Sequence, residues 1–207
     1  MNKNDNLKII AVLAMIIDHI GLFFFPTMYS FRIVGRLAFP LFCHQIAQGA
    51  MITSNIKKYI VRLFVYGMVS QPIYMILFNT SKLNIFFTLL FGLVLIFLKG
   101  QYLNQIIYLI FLVIINHYLG IEYGLYGVLL VYLFSFHGLK QLYIFYGVMF
   151  LMTVIYIGFT LELLQIFALL VIPILYIFNK PVNYQINKHY FYLFYPIHLL
   201  IIKLIVR

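Results

Sequence analysis

The chain has 207 residues, of which 65% are hydrophobic and 9% charged, with a formal net charge of +10. Mean hydropathy is +1.06. A soluble domain carries about 25% charged residues, so four acids and fourteen bases cannot cover a water-facing surface.

The apolar stretches recur along the whole length, and a spanning helix needs ~20 apolar residues to cross ~30 Å of hydrocarbon. They predict helices over 7–25, 31–51, 58–78, 84–99, 103–119, 122–137, 140–157, 161–178 and 189–206. This is an all-α, polytopic transmembrane bundle of about nine spans, with a range of eight to ten, forming one integral membrane domain over 1–207. The fourth, sixth and seventh spans are short. Pro26, Asn79-Thr80-Ser81, Gly100 and the polar stretch 179–187 mark loops. The runs are continuously apolar, which excludes an alternating β-barrel. The first run contains Asp18-His19 and lacks a small-residue cleavage site, so it does not read as a signal peptide.

The bases are dispersed singly or in pairs, which argues against nucleic acid as a partner. Lys/Arg bias sets orientation. With nine spans, Lys3, Lys8, Lys57, Lys58, Lys99, Lys140, Lys180 and Lys188 face the cytoplasm, against Arg32, Lys82, Lys203 and Arg207 outside. The expectation is a multi-pass cell-membrane protein with a cytoplasmic N-terminus, in contact with membrane lipids. One cysteine, Cys43, allows no intrachain disulfide. His and Cys never recur at ligand spacing, so no metal site is expected.

Polar groups in hydrocarbon are costly, about 2.5–3.5 kcal/mol for Asp at a helix centre, and so carry the functional information. In the N-in arrangement, Asp18, His19, Arg32, Arg36, Ser70, Gln71, Asn84, Thr88, Glu122, Glu162 and Gln165 collect toward the outer leaflet. That asymmetry suggests one polar pocket, with His198 at its floor. Asp18 shares a side with Ala11, Ala14 and Gly21, small residues that admit a neighbouring helix. Arg32 and Arg36 are four apart and repel on one face, so the pair wants an anion: Asp18, Glu122, a lipid phosphate, or a substrate carboxylate or phosphate.

Each residue also has a structural reading. Asp18 and Arg36 can be an ion pair locking two helices. Ser70 and Thr88 can back-bond to their own helix. His44, His117 and His137 read as packing residues, and Cys43 as an apolar filler. His19 stands above them through its neighbour Asp18, and His198 through its depth.

Several blocks together resemble a known family. They are Leu7-Lys8-Ile9-Ile10-Ala11 leading to Asp18-His19; Arg32-Ile33-Val34-Gly35-Arg36-Leu37-Ala38-Phe39-Pro40-Leu41-Phe42; Ser70-Gln71-Pro72; Asn84-Ile85-Phe86-Phe87-Thr88-Leu89; Tyr123-Gly124; and Tyr195-Pro196-Ile197-His198-Leu199. Over nearly its whole length the chain resembles the TraX family, membrane proteins that acetylate the N-terminus of conjugative pilin. It departs from the family pattern at Glu122, usually Asp, and at Phe178-Asn179-Lys180-Pro181.

The resemblance implies a membrane-embedded N-acetyltransferase. Acetyl-CoA is the co-substrate. The acceptor is an amine on a pilin or other small membrane or secreted peptide. A neutral amine must attack the thioester, so a base is needed. Asp18, His19 and His198 are the catalytic candidates. Arg36, Ser70, Gln71 or Asn84 can bind the developing oxyanion, and Arg32, Arg62, Thr88 and Tyr195 complete the substrate-binding set. Acetyl-CoA is cytoplasmic while the polar residues collect outside. Either the pocket opens inward, or the donor enters near Lys57, Lys58 and Arg62 and its thioester reaches the bilayer middle. The alternatives are a small transporter or proton-coupled carrier built on an intramembrane Asp/His/Glu relay, and an assembly or anchoring subunit with no chemistry.

Overall fold

The structure is a computed structural model that describes residues 5–136, 142–178 and 186–206. Its elements are α1 (Asp5–Phe24), α2 (Tyr29–Gly35), α3 (Ala38–Ile52), α4 (Ile56–Phe78), α5 (Ile85–Phe97), α6 (Tyr102–Tyr118), α7 (Gly124–Phe134), α8 (Leu142–Thr160), a 3-10 helix (Leu163–Leu170), α9 (Val171–Phe178) and α10 (Lys188–Ile205). There is no strand among the described residues. The fold is all-α, as the apolar runs require. His137, Lys3, Lys140, Lys180, Asn179, Pro181 and Arg207 lie outside the described residues.

Every expected span carries helix, but two are interrupted. The second breaks at Arg36-Leu37 into α2 and α3. Pro40 then sits in the first turn of α3, where its missing N–H leaves no helical bond unmade. The eighth becomes a 3-10 helix followed by α9. Pro173 falls in the first turn of α9, where its missing N–H leaves no helical bond unmade. Among the described residues, α1 and α4 are long and apolar enough to cross a membrane, and the other apolar helices are shorter.

The fold has two compact units, Met1–Gln45 with His137–Phe191 and Ile46–Phe136 with Tyr192–Arg207. In the first, α1 and α2 pack as a hairpin, and the 3-10 helix lies against α2, α8 and α9. Small residues set the hairpin spacing: Gly21 sits against Phe31, and Gly35 against the Asp18 side chain. Ala11 and Ala14 are buried with Gly21 on that side, as the small-residue stripe predicts.

In the second unit α5 is central, packed on α4 and α7. Phe86, Phe87, Leu89, Leu90, Leu93 and Leu95 are all buried. A helix apolar on every side belongs in the middle of a bundle. Gly92 lets α7 approach, since a Cβ there would overlap Val131. By contrast α6 buries Leu112 alone and turns Leu103, Ile106, Ile107, Ile110 and Phe111 outward. An exposed apolar face of this extent is the kind that contacts lipid or another protein.

Candidate functional site

Two polar clusters form, each within one unit. The first is built on the α1–α2 hairpin. Arg32 Nη1 lies 2.7 Å from Asp18 Oδ2 and also donates to the Asp18 carbonyl at 3.4 Å. Arg36, one helical turn further, points to the start of the 3-10 helix. Its Nη1 is 3.1 Å from Glu162 Oε2 and donates to Gln165 Oε1 at 3.2 Å. The two arginines thus take separate counterions. Asp18 is one of the anions expected for the pair, but its hydrogen-bonded partner is Arg32. Glu162, not Glu122, serves Arg36. Asp18 Oδ1 is buried without a hydrogen-bond partner, pressed against the bare Cα of Gly35. His19 lies half-buried beside this cluster's carboxylate residue on α1.

The second cluster joins α4 to α5. Asn84 caps α5, its Oδ1 accepting from the Phe86 N–H at 2.9 Å. Its amide donates to the Gly67 carbonyl at 2.9 Å and to Gln71 Oε1 at 2.8 Å. Gln71 accepts from the Asn84 N–H at 3.0 Å and donates to the Lys82 carbonyl at 2.8 Å. Ser70 back-bonds to the Tyr66 carbonyl at 2.7 Å, the structural role open to it from the sequence. Thr88 instead reaches across to the Glu122 carbonyl at 2.6 Å. The amides of Asn84 and Gln71 and the Thr88 hydroxyl tie separate segments together, the Ser70 hydroxyl bonds within α4, and each of these groups donates to a partner.

The segment carrying Glu122 is tightly held. Leu83 and Ile121 form a short parallel bridge, and the Glu122 N–H donates to the Leu83 carbonyl at 3.0 Å. Tyr123 adopts φ +60° and Gly124 φ +52°. A left-handed tyrosine is an uncommon, strained conformation, maintained here by the bridge. The turn brings the Glu122 carboxylate to the Tyr74 hydroxyl. Asn84→Ala removes the cap and strands buried partners. It should cost about 2–3 kcal/mol, read as a lower midpoint in a denaturation series.

On α10, Tyr195 and His198 are buried. His198 Nδ1 lies 3.0 Å from the Phe194 carbonyl, and the ring stacks on Phe194 at 5.0 Å. A carbonyl only accepts, so Nδ1 carries the proton and the lone pair sits on Nε2. His44 and Cys43 are fully buried. His117 is exposed and meets Tyr118 edge-on.

Arg62 occupies an aromatic box. Its guanidinium lies 5.0 Å from the Tyr59 ring and 5.4 Å from the Tyr192 ring, and Tyr192 in turn stacks on Tyr66 at 5.0 Å. The sequence places Tyr59, Arg62 and Tyr66 at helical spacing, a signal sufficient to group these three but not to add Tyr192. Of the expected site residues, Asp18, His19, Arg32 and Arg36 belong to the first unit. Arg62, Ser70, Gln71, Asn84, Thr88, Tyr195 and His198 belong to the second.

The chain matches the TraX protein family over residues 3–206. It belongs to the TraX family. Among curated proteins it is 41% identical over 78 residues to an uncharacterized protein of Rickettsia prowazekii (strain Madrid E), covering 38% of this chain and 29% of that one. It is 39% identical over 72 residues to the probable fimbrial assembly protein FimC, serogroup H1, of Dichelobacter nodosus, covering 33% of this chain and 30% of that one. The matched regions thus span under a third of each relative's length. No solved structure matches the chain. The TraX blocks fall on the clusters just described. Arg32 through Pro40 supplies the two ion-paired arginines and the break between α2 and α3. Asn84 through Leu89 supplies the α5 cap, and Tyr195 through Leu199 the buried histidine.

Proposed function

We propose that this TraX-family chain is a multi-pass membrane N-acetyltransferase, which moves the acetyl group of acetyl-CoA to an amine. The acceptor is the N-terminus of a pilin or another small membrane or secreted peptide, and the N-terminus of the chain faces the cytoplasm. Family membership across residues 3–206 carries this reading, and the similarity to a protein named for fimbrial assembly supports the link to pili.

In the reaction the neutral amine attacks the acetyl carbonyl carbon. A C–N bond forms, the C–S bond breaks, and the amine's proton passes through a base to the departing CoA thiolate. His198 suits the base because its Nδ1 bond to Phe194 leaves the lone pair on Nε2. His19 is the second candidate. Asp18 acts as a positioning group, holding Arg32 at the end of α1. Within the first unit, Arg36, shared between Glu162 and Gln165, is the oxyanion candidate for a reaction that uses His19. The amides of Gln71 and Asn84 and the hydroxyls of Ser70 and Thr88 are engaged within the second unit and serve its packing instead of contacting substrate.

The test is mass spectrometry of small secreted and membrane peptides from cells with and without the protein. Peptides N-terminally acetylated only when the protein is present support the reading. An identical acetylation pattern in both, with the protein verified in the membrane, rejects it.

A further inference from the structure

The chain has four acids, and three of them hold ion pairs with bases: Asp5 with Lys8, Asp18 with Arg32 and Glu162 with Arg36. Arg62 makes no ion pair among the described residues, although it is part-buried in the wall of a largely apolar bundle. What surrounds it is aromatic. Tyr59 and Tyr192 flank the guanidinium, and the Tyr192 hydroxyl faces both Tyr59 and Arg62. Gly49 on α3 lets the Tyr59 hydroxyl sit tight, since a Cβ there would lie 2.8 Å from it. The guanidinium Nε is buried without a hydrogen-bond partner.

A cation held by ring faces keeps its charge uncancelled, because cation–π contacts orient it without neutralising it. The surroundings add positive potential. Lys58 stands four residues before Arg62, on the same helical face, with Lys57 beside it, both exposed. The first turn of α4 holds no acid, and its unpaired N–H groups and dipole favour an anion. Asn55 caps that turn at Lys58. A rigid fork with neighbouring ammonium groups is the donor set that recognises phosphate oxygens.

We propose that Arg62, held by Tyr59 and Tyr192 and assisted by Lys58, binds a phosphate group, either the headgroup of an anionic phospholipid or a phosphate of the CoA donor. The CoA source rests on the acetyltransferase reading, whereas the lipid source does not. Both share the phosphate chemistry and differ in what carries it.

The experiment uses the full chain in detergent micelles and in phosphatidylcholine nanodiscs. CoA is titrated into the nanodiscs. Phosphatidylglycerol is compared with phosphatidylcholine in micelles by native mass spectrometry. The wild type is expected to bind at least one probe, CoA or phosphatidylglycerol in preference to phosphatidylcholine. Arg62→Gln should weaken that binding about 10- to 100-fold, the range of a charged hydrogen bond. Arg62→Lys keeps the charge but loses the planar fork, and should weaken it by about 10-fold. It serves if the glutamine variant does not fold. Loss for CoA alone assigns the donor, and loss for phosphatidylglycerol alone assigns the lipid. Wild-type protein that binds neither probe, or variants that bind both as tightly as the wild type, overturns the proposal. Arg62-dependent CoA binding with no acetyl transfer to any amine would leave this site standing and remove the acetyltransferase reading. Acetyl transfer with Arg62-independent binding of both probes would do the reverse.

Discussion

Replacing Gly35 by alanine is expected to destabilise the protein by about 3 kcal/mol. A methyl group there would overlap the Asp18 carboxylate. Two responses are open. The hairpin can part, losing packing worth about 1–3 kcal/mol. Or the carboxylate can leave Arg32, which strands a part-buried charge and costs about 3–5 kcal/mol. Gly147 and Gly158 on α8 give the control, because nothing lies within 4 Å of a Cβ at either position. Alanine at those sites should be neutral or stabilise the helix by about 0.5–1 kcal/mol. Denaturation midpoints of the three variants in one detergent make the comparison. A Gly35→Ala midpoint equal to those of the α8 variants would show that the contact with Asp18 does not constrain the hairpin.

The second large effect is on rate. Removing the base should slow acetyl transfer by about 10²–10⁴-fold. His198→Asn is the informative change, because its amide can keep the bond to the Phe194 carbonyl while Nε2 is lost. His19→Ala tests the other candidate, and His44→Ala, fully buried, should leave the rate per folded molecule nearly unchanged. Imidazole added to the His198→Asn protein should restore part of the rate if the missing group is a base. A purely structural histidine would give no such rescue. A His44→Ala protein that is folded but inactive, beside an active His19→Ala and an active His198→Asn, would overturn the assignment.

The bundle was legible in the sequence because apolar runs such as 7–25 and 58–78 admit few structures besides helix. The interruptions were harder to read. The run 161–178 reads as one span, because its apolar character does not show the change from 3-10 helix to α9 at Val171. The sequence suggests Asp18 paired with Arg36, whereas the ion pair is with Arg32, one helical turn earlier, because the choice between two arginines on one face depends on the geometry of the hairpin. The Arg36–Glu162 pair was not legible, because it joins residues far apart in the chain and periodicity does not say which helices pack. The same holds for Asn84 and Gln71. The sequence marked both as polar groups in apolar surroundings, but not that they satisfy each other. Tyr192 completes the box around Arg62 from a helix at the other end of the chain. A lone sequence offers no signal for that meeting.

The most direct test of the account is transfer by the purified chain itself. The protein is reconstituted in liposomes with isotopically labelled acetyl-CoA and two peptides, one with a free α-amine and one with that amine blocked. Label is expected on the free α-amine and none on the blocked peptide, with a rate that falls about 10²–10⁴-fold in His198→Asn. Folded wild-type protein that leaves the free α-amine unlabelled, while passing a solute across the same liposomes, would contradict acetyl transfer and favour a carrier.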